Sequence, residues 1–178
     1  MSEQILLQPI AANIDKAKES LEKARIAHER YLIRQQNKDL QDAIEYYVDA
    51  VKYDPTMPEA YYRLATLMWE QGQISIDTAI EQCKTAVSLA PQNINAHLYT
   101  GFFMKLAQDF KSAESEFKSA IKMGKMNSAR PRLILSQSIL QKINSQNGNV
   151  GDYLSFLYYF LSGSLMLAWD RPSMKMFY

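Results

Sequence analysis

The sequence repeats itself with a period of 34 to 36 residues, and this repeat constrains the fold more than any other feature. A shift of 36 residues carries Ala43 onto Ala79 and Pro55 onto Pro91, and a further shift of 34 carries Ala79 onto Ala113. The same shifts relate Tyr47 to Cys83 and Phe117, Ala50 to Ala86 and Ala120, and Tyr61 to His97 and Pro131. Such a period is typical of arrays in which each unit packs only on its neighbours.

Each repeat unit predicts two helices, because apolar residues recur at three- and four-residue spacing. In the clearest unit, one helix starts at Pro58, runs to about Gln71 and is closed by Gly72, and a second covers 77–89. The next unit predicts helices over 95–107 and 110–123. Further helices are predicted over 13–36, 39–55, 128–143 and 153–169. With only six glycines and six prolines in the chain, the expected class is all-α.

The residues at fixed places in these units resemble the tetratricopeptide repeat (TPR) family, whose 34-residue unit combines aromatic, leucine and small residues in a set order. The matching residues are Tyr61, Leu64, Ala65, Met68, Ala79, Cys83, Ala86 and Pro91, then His97, Thr100, Gly101, Met104, Ala113, Phe117 and Ala120. Cys83 replaces an aromatic residue and Thr100 replaces leucine. The resemblance implies an antiparallel helix-pair solenoid, wound as a right-handed superhelix, with flanking N- and C-terminal helices.

The resemblance is clearest over 39–124 and extends over 24–142. It implies an N-terminal helix that packs on or caps the array (1–38) and a TPR array with about two full units and flanking half-units (39–142). A polar loop and an apolar C-terminal helix follow (143–178). Truncation of a longer array would also explain this last segment.

The C-terminal segment is unusually apolar, because no charged residue occurs between Asp152 and Asp170. It is borderline in length for a membrane span and lacks flanking Lys or Arg clusters, so a membrane role is the less favoured alternative. We expect the segment to be buried by a fold-back, by further repeats or by a second copy of the chain. A homo-oligomer formed through this helix is therefore one of the alternatives.

The sequence offers no recognisable catalytic chemistry. Its 20 basic and 19 acidic residues nearly cancel, which disfavours nucleic acid as a partner. The single cysteine, Cys83, excludes an intramolecular disulfide and fits a cytoplasmic location. We interpret His97 as a packed imidazole, and His28 as a surface or helix-seam residue. No glycine-rich phosphate loop is present, and we expect no enzyme activity, cofactor or metal site.

In the TPR family, the first helices of successive units line a concave groove. The resemblance therefore implies that a protein or peptide ligand binds along these helices. The groove residues it places in this chain are Glu59, Tyr62, Thr66, Trp69, Asn95, Leu98, Phe102, Lys105 and Arg132. Tyr62, Trp69 and Phe102 lie outside the packing places of the family, and aromatic residues of this kind are natural interface anchors.

One TPR subtype grips the acidic C-terminal tail of heat-shock chaperones through lysine and asparagine side chains. The corresponding positions of this chain hold Tyr62, Thr66, Ala129 and Leu133, so that subtype is not expected. The resemblance favours a non-enzymatic adaptor or assembly scaffold that binds a peptide or helix in the groove. The alternatives are a TPR-type chaperone that shields apolar client segments, or the repeat domain of a larger protein.

Overall fold

The computed structural model describes the backbone of residues 3–124, 129–146 and 149–169, and the side chains from residue 13 to residue 164 within those ranges, apart from those of residues 146 and 150. The described residues form α-helices and no β-strand. The helices are α1 (Glu3–Arg34), α2 (Asn37–Tyr53), α3 (Pro58–Glu70), α4 (Ile76–Leu89), α5 (Ile94–Leu106), α6 (Phe110–Gly124), α7 (Ala129–Gln146) and α8 (Val150–Trp169). The predicted all-helical fold is confirmed. The helix expected to begin at residue 13 begins earlier, at Glu3.

Local chemistry explains where the repeat helices begin and end. Pro58 occupies the first turn of α3, where its missing N–H is not needed. The Oγ of Ser75 caps α4 by accepting a hydrogen bond from the backbone N–H of Thr78 at 3.1 Å. After α3 and α5 the chain turns through Gly72 and Gln108, whose φ angles are +69° and +62°. Both first helices therefore end in the same left-handed turn, once with glycine and once without it.

Met1–Ala90 form one compact unit. In it α2 packs on α1 and α3, and α3 packs on α4. The core contains small and large apolar side chains from the first three helices: Ala24, Ala27, Leu40, Ala43, Tyr47, Ala50, Ala60, Leu64 and Leu67. The alanines allow these helices to approach closely, while Tyr47 and the leucines supply most of the buried apolar area.

Pro91–Tyr178 form a second compact unit, in which α6 packs on α5 and α7, and α7 packs on α8. Gly101 marks the close approach of α5 and α6, because a Cβ built there would lie 2.6 Å from Cε1 of Phe117. The segment over 153–169 is thus the packing partner of α7, which the repeat pattern did not identify. No helix in the described part of the chain is long and apolar enough to cross a membrane.

Burial agrees with most of the packing places that the resemblance implied. Buried residues at these places are Leu64, Ala65, Ala79, Cys83, Ala86, His97, Thr100, Gly101, Met104, Ala113, Phe117 and Ala120. Tyr61 and Met68 are half-buried, and Pro91 is exposed. The division after Ala90 separates two compact units, whereas the predicted boundaries at 38 and 142 follow the repeat pattern. Those two boundaries stay a prediction.

Candidate protein-binding surfaces

The candidate surface of the first unit lies on α3. Glu59 is held by α1, because the guanidinium of Arg25 donates to both carboxylate oxygens, at 3.1 Å from Nε and 2.5 Å from Nη2. Thr66 donates its hydroxyl proton to the carbonyl of Tyr62 at 2.8 Å, one turn earlier on the same helix. The side chain of Trp69 is half-buried. Glu59 and Thr66 are thus oriented by the protein itself, and Trp69 is the largest apolar group of this surface.

The interpretation of Tyr62 as an aromatic residue outside the core needs correction. Its side chain is only 2% exposed, and Leu98, which is 36 residues later at the equivalent place, is 7% exposed. Because α3 packs on both α2 and α4, only a narrow strip of it stays open to solvent. The Tyr62 ring is therefore packed inside the unit, and the guanidinium carbon of Arg63 lies 5.9 Å from the ring centre. We therefore omit Tyr62 and Leu98 from the candidate surface.

The candidate surface of the second unit is centred on Phe102 and Lys105, which lie on α5. The Phe102 ring is half-buried and meets the ring of Phe103 edge-on, with centroids 5.4 Å apart. The ammonium nitrogen of Lys105 lies 5.9 Å from the centre of the Phe102 ring. Burial lowers the pKa of Lys105, so its charged form is incompletely solvated. These residues place an apolar ring beside a partly desolvated cation.

Two further predicted residues border this surface. Asn95 is exposed in the first turn of α5, where its backbone N–H donates to Oδ1 of Asn93 at 3.0 Å. Arg132 lies on α7, is half-buried, and donates from Nη1 to Oγ of Ser162 on α8 at 3.4 Å. Arg132 therefore helps to join α7 to α8, and contact with a ligand would be a second role for it.

Two residues of α1 occupy places equivalent to the candidate residues of α3 but were missed. Arg25 precedes Glu59 by 34 residues, and Leu32 precedes Thr66 by 34 residues. Leu32 is 60% exposed. The same repeat period would have found both residues if it had been applied to α1.

The side chains with the most reactive chemistry, Cys83 and His97, are buried in the core. Cys83 is buried, and burial raises its pKa to about 12, which keeps it a protonated and poorly nucleophilic thiol. His97 places its two ring nitrogens 2.6 Å from Oε2 of Glu116 and 3.0 Å from the carbonyl of Pro91. Within the described residues, His, Cys, Asp and Glu side chains form no group of three or more that could hold a metal ion.

Comparison with known families agrees with this architecture. Residues 35–75, which span α2 and α3, match the sequence model of the tetratricopeptide repeat. The chain contains a tetratricopeptide repeat. No curated protein sequence matches this chain.

Solved structures show the same fold. The chain is similar to the crystal structure of MamA, at 18% identity and a TM-score of 0.63, over 85% of this chain and 78% of that one. It is similar to the first TPR of Spaghetti (RPAP3) bound to the HSP90 peptide SRMEEVD, at 18% identity and a TM-score of 0.55, over 70% of this chain and 98% of that one. The TPR domain of Arabidopsis OM64 is similar at 19% identity and a TM-score of 0.55, with 70% and 98% coverage.

Proposed function

We propose that this TPR chain is a non-enzymatic, cytoplasmic scaffold that binds a peptide or helix of a partner protein on its first helices. The observation that carries the proposal is the pair formed by Phe102 and Lys105 on α5. The buried thiol of Cys83 and the satisfied imidazole of His97 fit a protein that binds rather than reacts. The similar Spaghetti structure is bound to an HSP90 peptide, and for this chain peptide binding is a proposal.

The side chains of Phe102 and Lys105 indicate which groups a ligand would present to them. Phe102 is already fixed by its edge-on contact with Phe103, so a ligand that covers it pays little side-chain entropy. Lys105 has lost part of its hydration, which a ligand carboxylate would replace with a charge-assisted hydrogen bond. We therefore propose a ligand segment in which an apolar side chain stands next to Asp or Glu.

A terminal carboxylate is not the proposed ligand group. Two of the four positions that would supply a carboxylate clamp, Ala129 and Leu133, hold apolar residues on α7. Ala129 is buried, and Leu133 faces α8, because a Cβ built on Gly163 would lie 2.9 Å from its Cγ. An internal acidic and apolar segment fits the Phe102 and Lys105 pair better.

The test is affinity capture from lysate of the source cells, with single-residue variants and a matched control for the charge reversal. Lys105→Glu and Phe102→Ala should reduce capture of the specific partner at least ~10-fold, since each removes an interaction of about 1.4 kcal/mol or more. Lys111→Glu is the matched control, because Lys111 is an exposed lysine on α6. Trp69→Ala tests the surface of the first unit separately.

Circular dichroism must first show that every variant keeps the helix content of the native chain. Loss of one partner with Lys105→Glu and its retention with Lys111→Glu would support the proposal. If all four variants captured as much partner as the native chain, the α5 and α3 surfaces would be refuted as ligand sites.

A further inference from the structure

Helix α8 has one face that packs within its own unit. A Cβ on Gly163 would come within 3.2 Å of the carbonyl oxygen of Ala129, which shows how closely α8 approaches α7. Polar contacts join the helices at two further points. Lys142 lies 2.8 Å from Oδ1 of Asp152, and Arg132 donates to Ser162. This inner face of α8 is therefore covered by α7.

The opposite face of α8 is apolar and open to solvent. It consists of large side chains that are 45% to 63% exposed: Tyr153, Leu154, Leu157, Tyr158, Phe160 and Leu161. At 100° per residue these six positions share an arc of about 160° on one side of the helix. No Lys, Arg, Asp or Glu occurs among residues 153–169. We call these six residues the outer face of α8.

The outer face is too large to be an incidental apolar patch. Side chains of these sizes and exposures leave roughly 700 Å² of surface in water, close to the roughly 800 Å² that each partner contributes to a standard interface. The largest apolar patch on a typical monomer is about 300–600 Å². The outer face alone thus provides the area that a stable protein interface needs.

The rings of the outer face are held in place before any partner arrives. Phe160 stacks on Phe156 with centroids 5.7 Å apart and planes 20° apart. Tyr158 meets Tyr159 edge-on at 5.0 Å. Because these contacts restrict the rings, covering them costs less conformational entropy than covering mobile side chains.

The absence of charge allows the outer face to pack against a second copy of itself. A two-fold symmetric interface brings a surface against itself, so any charge near the axis meets a like charge. The outer face has none. If two α8 helices cross antiparallel with the axis between residues 157 and 158, Leu154 meets Leu161 of the second copy and Leu157 meets Tyr158. Apolar side chains then face one another at the centre of the outer face.

We propose that the outer face of α8 is a homodimer interface, in which two copies of the chain pack their α8 helices antiparallel around a two-fold axis near Leu157. This inference is independent of ligand binding on α3 and α5. The proposal uses only residues of α8 whose side chains are open to solvent, so changing them need not disturb the fold of either copy.

The experiment is sedimentation equilibrium of the full chain, with two oppositely charged variants of one residue. The native chain should have twice the monomer mass of 20.5 kDa. Leu157→Glu and Leu157→Lys should each weaken the dimer ~100-fold or more, because residue 157 of each copy flanks the axis and like charges would come close together within an apolar interface. An equimolar mixture of the two variants should form a heterodimer, since the charges then pair. Ile33→Glu is the control, because Ile33 is exposed on α1 and should leave the dimer intact.

The mixture distinguishes a change at the interface from misfolding of the variants. A monomeric native chain, or dimers that persist in both Leu157 variants, would overturn the proposal. A monomeric native chain that captures apolar client proteins or lipid vesicles through Leu157 would assign the outer face to that other occupant, and would overturn the homodimer as well. Association that is lost in each Leu157 variant and restored only in their equimolar mixture would establish the homodimer interface.

Discussion

The contact between Gly101 and Phe117 tests the idea that small residues set the distance between repeat helices. In a helix interior, Gly→Ala gains about 1 kcal/mol of stability from propensity alone. At Gly101 the added Cβ would lie 2.6, 2.9 and 3.0 Å from three atoms of the Phe117 ring. That ring is fully buried, so it cannot move away into solvent. Overpacking of this kind costs about 1–3 kcal/mol.

We therefore expect Gly101→Ala to lower the free energy of unfolding by about 1 kcal/mol, as the packing cost exceeds the gain in propensity. Phe117→Leu should also destabilise the protein, by about 1–2 kcal/mol, because it leaves a gap in the core. In the double variant the new methyl group partly fills that gap. The two changes should then couple favourably by about 1–2 kcal/mol.

The assay is urea unfolding of all four proteins, followed by circular dichroism, with the coupling energy taken from the double-mutant cycle. Ala65→Gly, at the equivalent place in α3, is the control, and it should cost about 1 kcal/mol as propensity predicts. A Gly101→Ala variant more stable than the native chain would refute the steric argument. Additive effects, with no coupling to Phe117→Leu, would refute it equally.

Three further predictions concern single side chains. Gln108→Gly should raise stability by about 1 kcal/mol, because it removes the steric cost of a side chain at φ +62°, and urea unfolding against Gln92→Gly measures this. Burial, aided by the charge of Arg63, lowers the pKa of His28 from 6.5 to about 4. The unfolded chain then binds the proton at a higher pH than the folded chain, so stability should fall by up to about 3 kcal/mol from pH 6.5 to pH 4. His28→Gln should flatten this slope in thermal melts, and an equal slope in both proteins would contradict the pKa shift. The Cys83 thiol should react with a thiol reagent only after denaturant is added, and rapid labelling of the folded protein would contradict its burial.

The repeat pattern predicted most of the architecture because helix periodicity is a local property. The spacing of Ala79, Cys83 and Ala86 was enough to identify a helix and its buried side. Pro58 and Gly72 marked the ends of α3 through their own backbone preferences. The turn at Gln108 was predicted at the right place, although no glycine marks it.

The accessible surface could not be predicted in the same way. The repeat placed Tyr62 and Trp69 on the same first helix, but only the packing of α3 between α2 and α4 left Tyr62 buried and Trp69 half-buried. The link between Arg25 and Glu59 joins residues 34 positions apart, and sequence spacing does not show that their side chains meet. How wide a strip of a helix stays open depends on its neighbours in space.

The sequence by itself determined the class of fold, the helix pairs and the places where small residues are required, because these follow from residue spacing and backbone chemistry. Tertiary structure alone decided the roles of α8. Its composition is apolar on all sides, so the sequence left a fold-back, a second copy and a membrane open. Packing on α7 covers the inner face at Gly163 and leaves Leu154, Leu157 and Leu161 in solvent. That division depends on the direction from which a neighbouring helix approaches, and residue spacing within one helix does not record it.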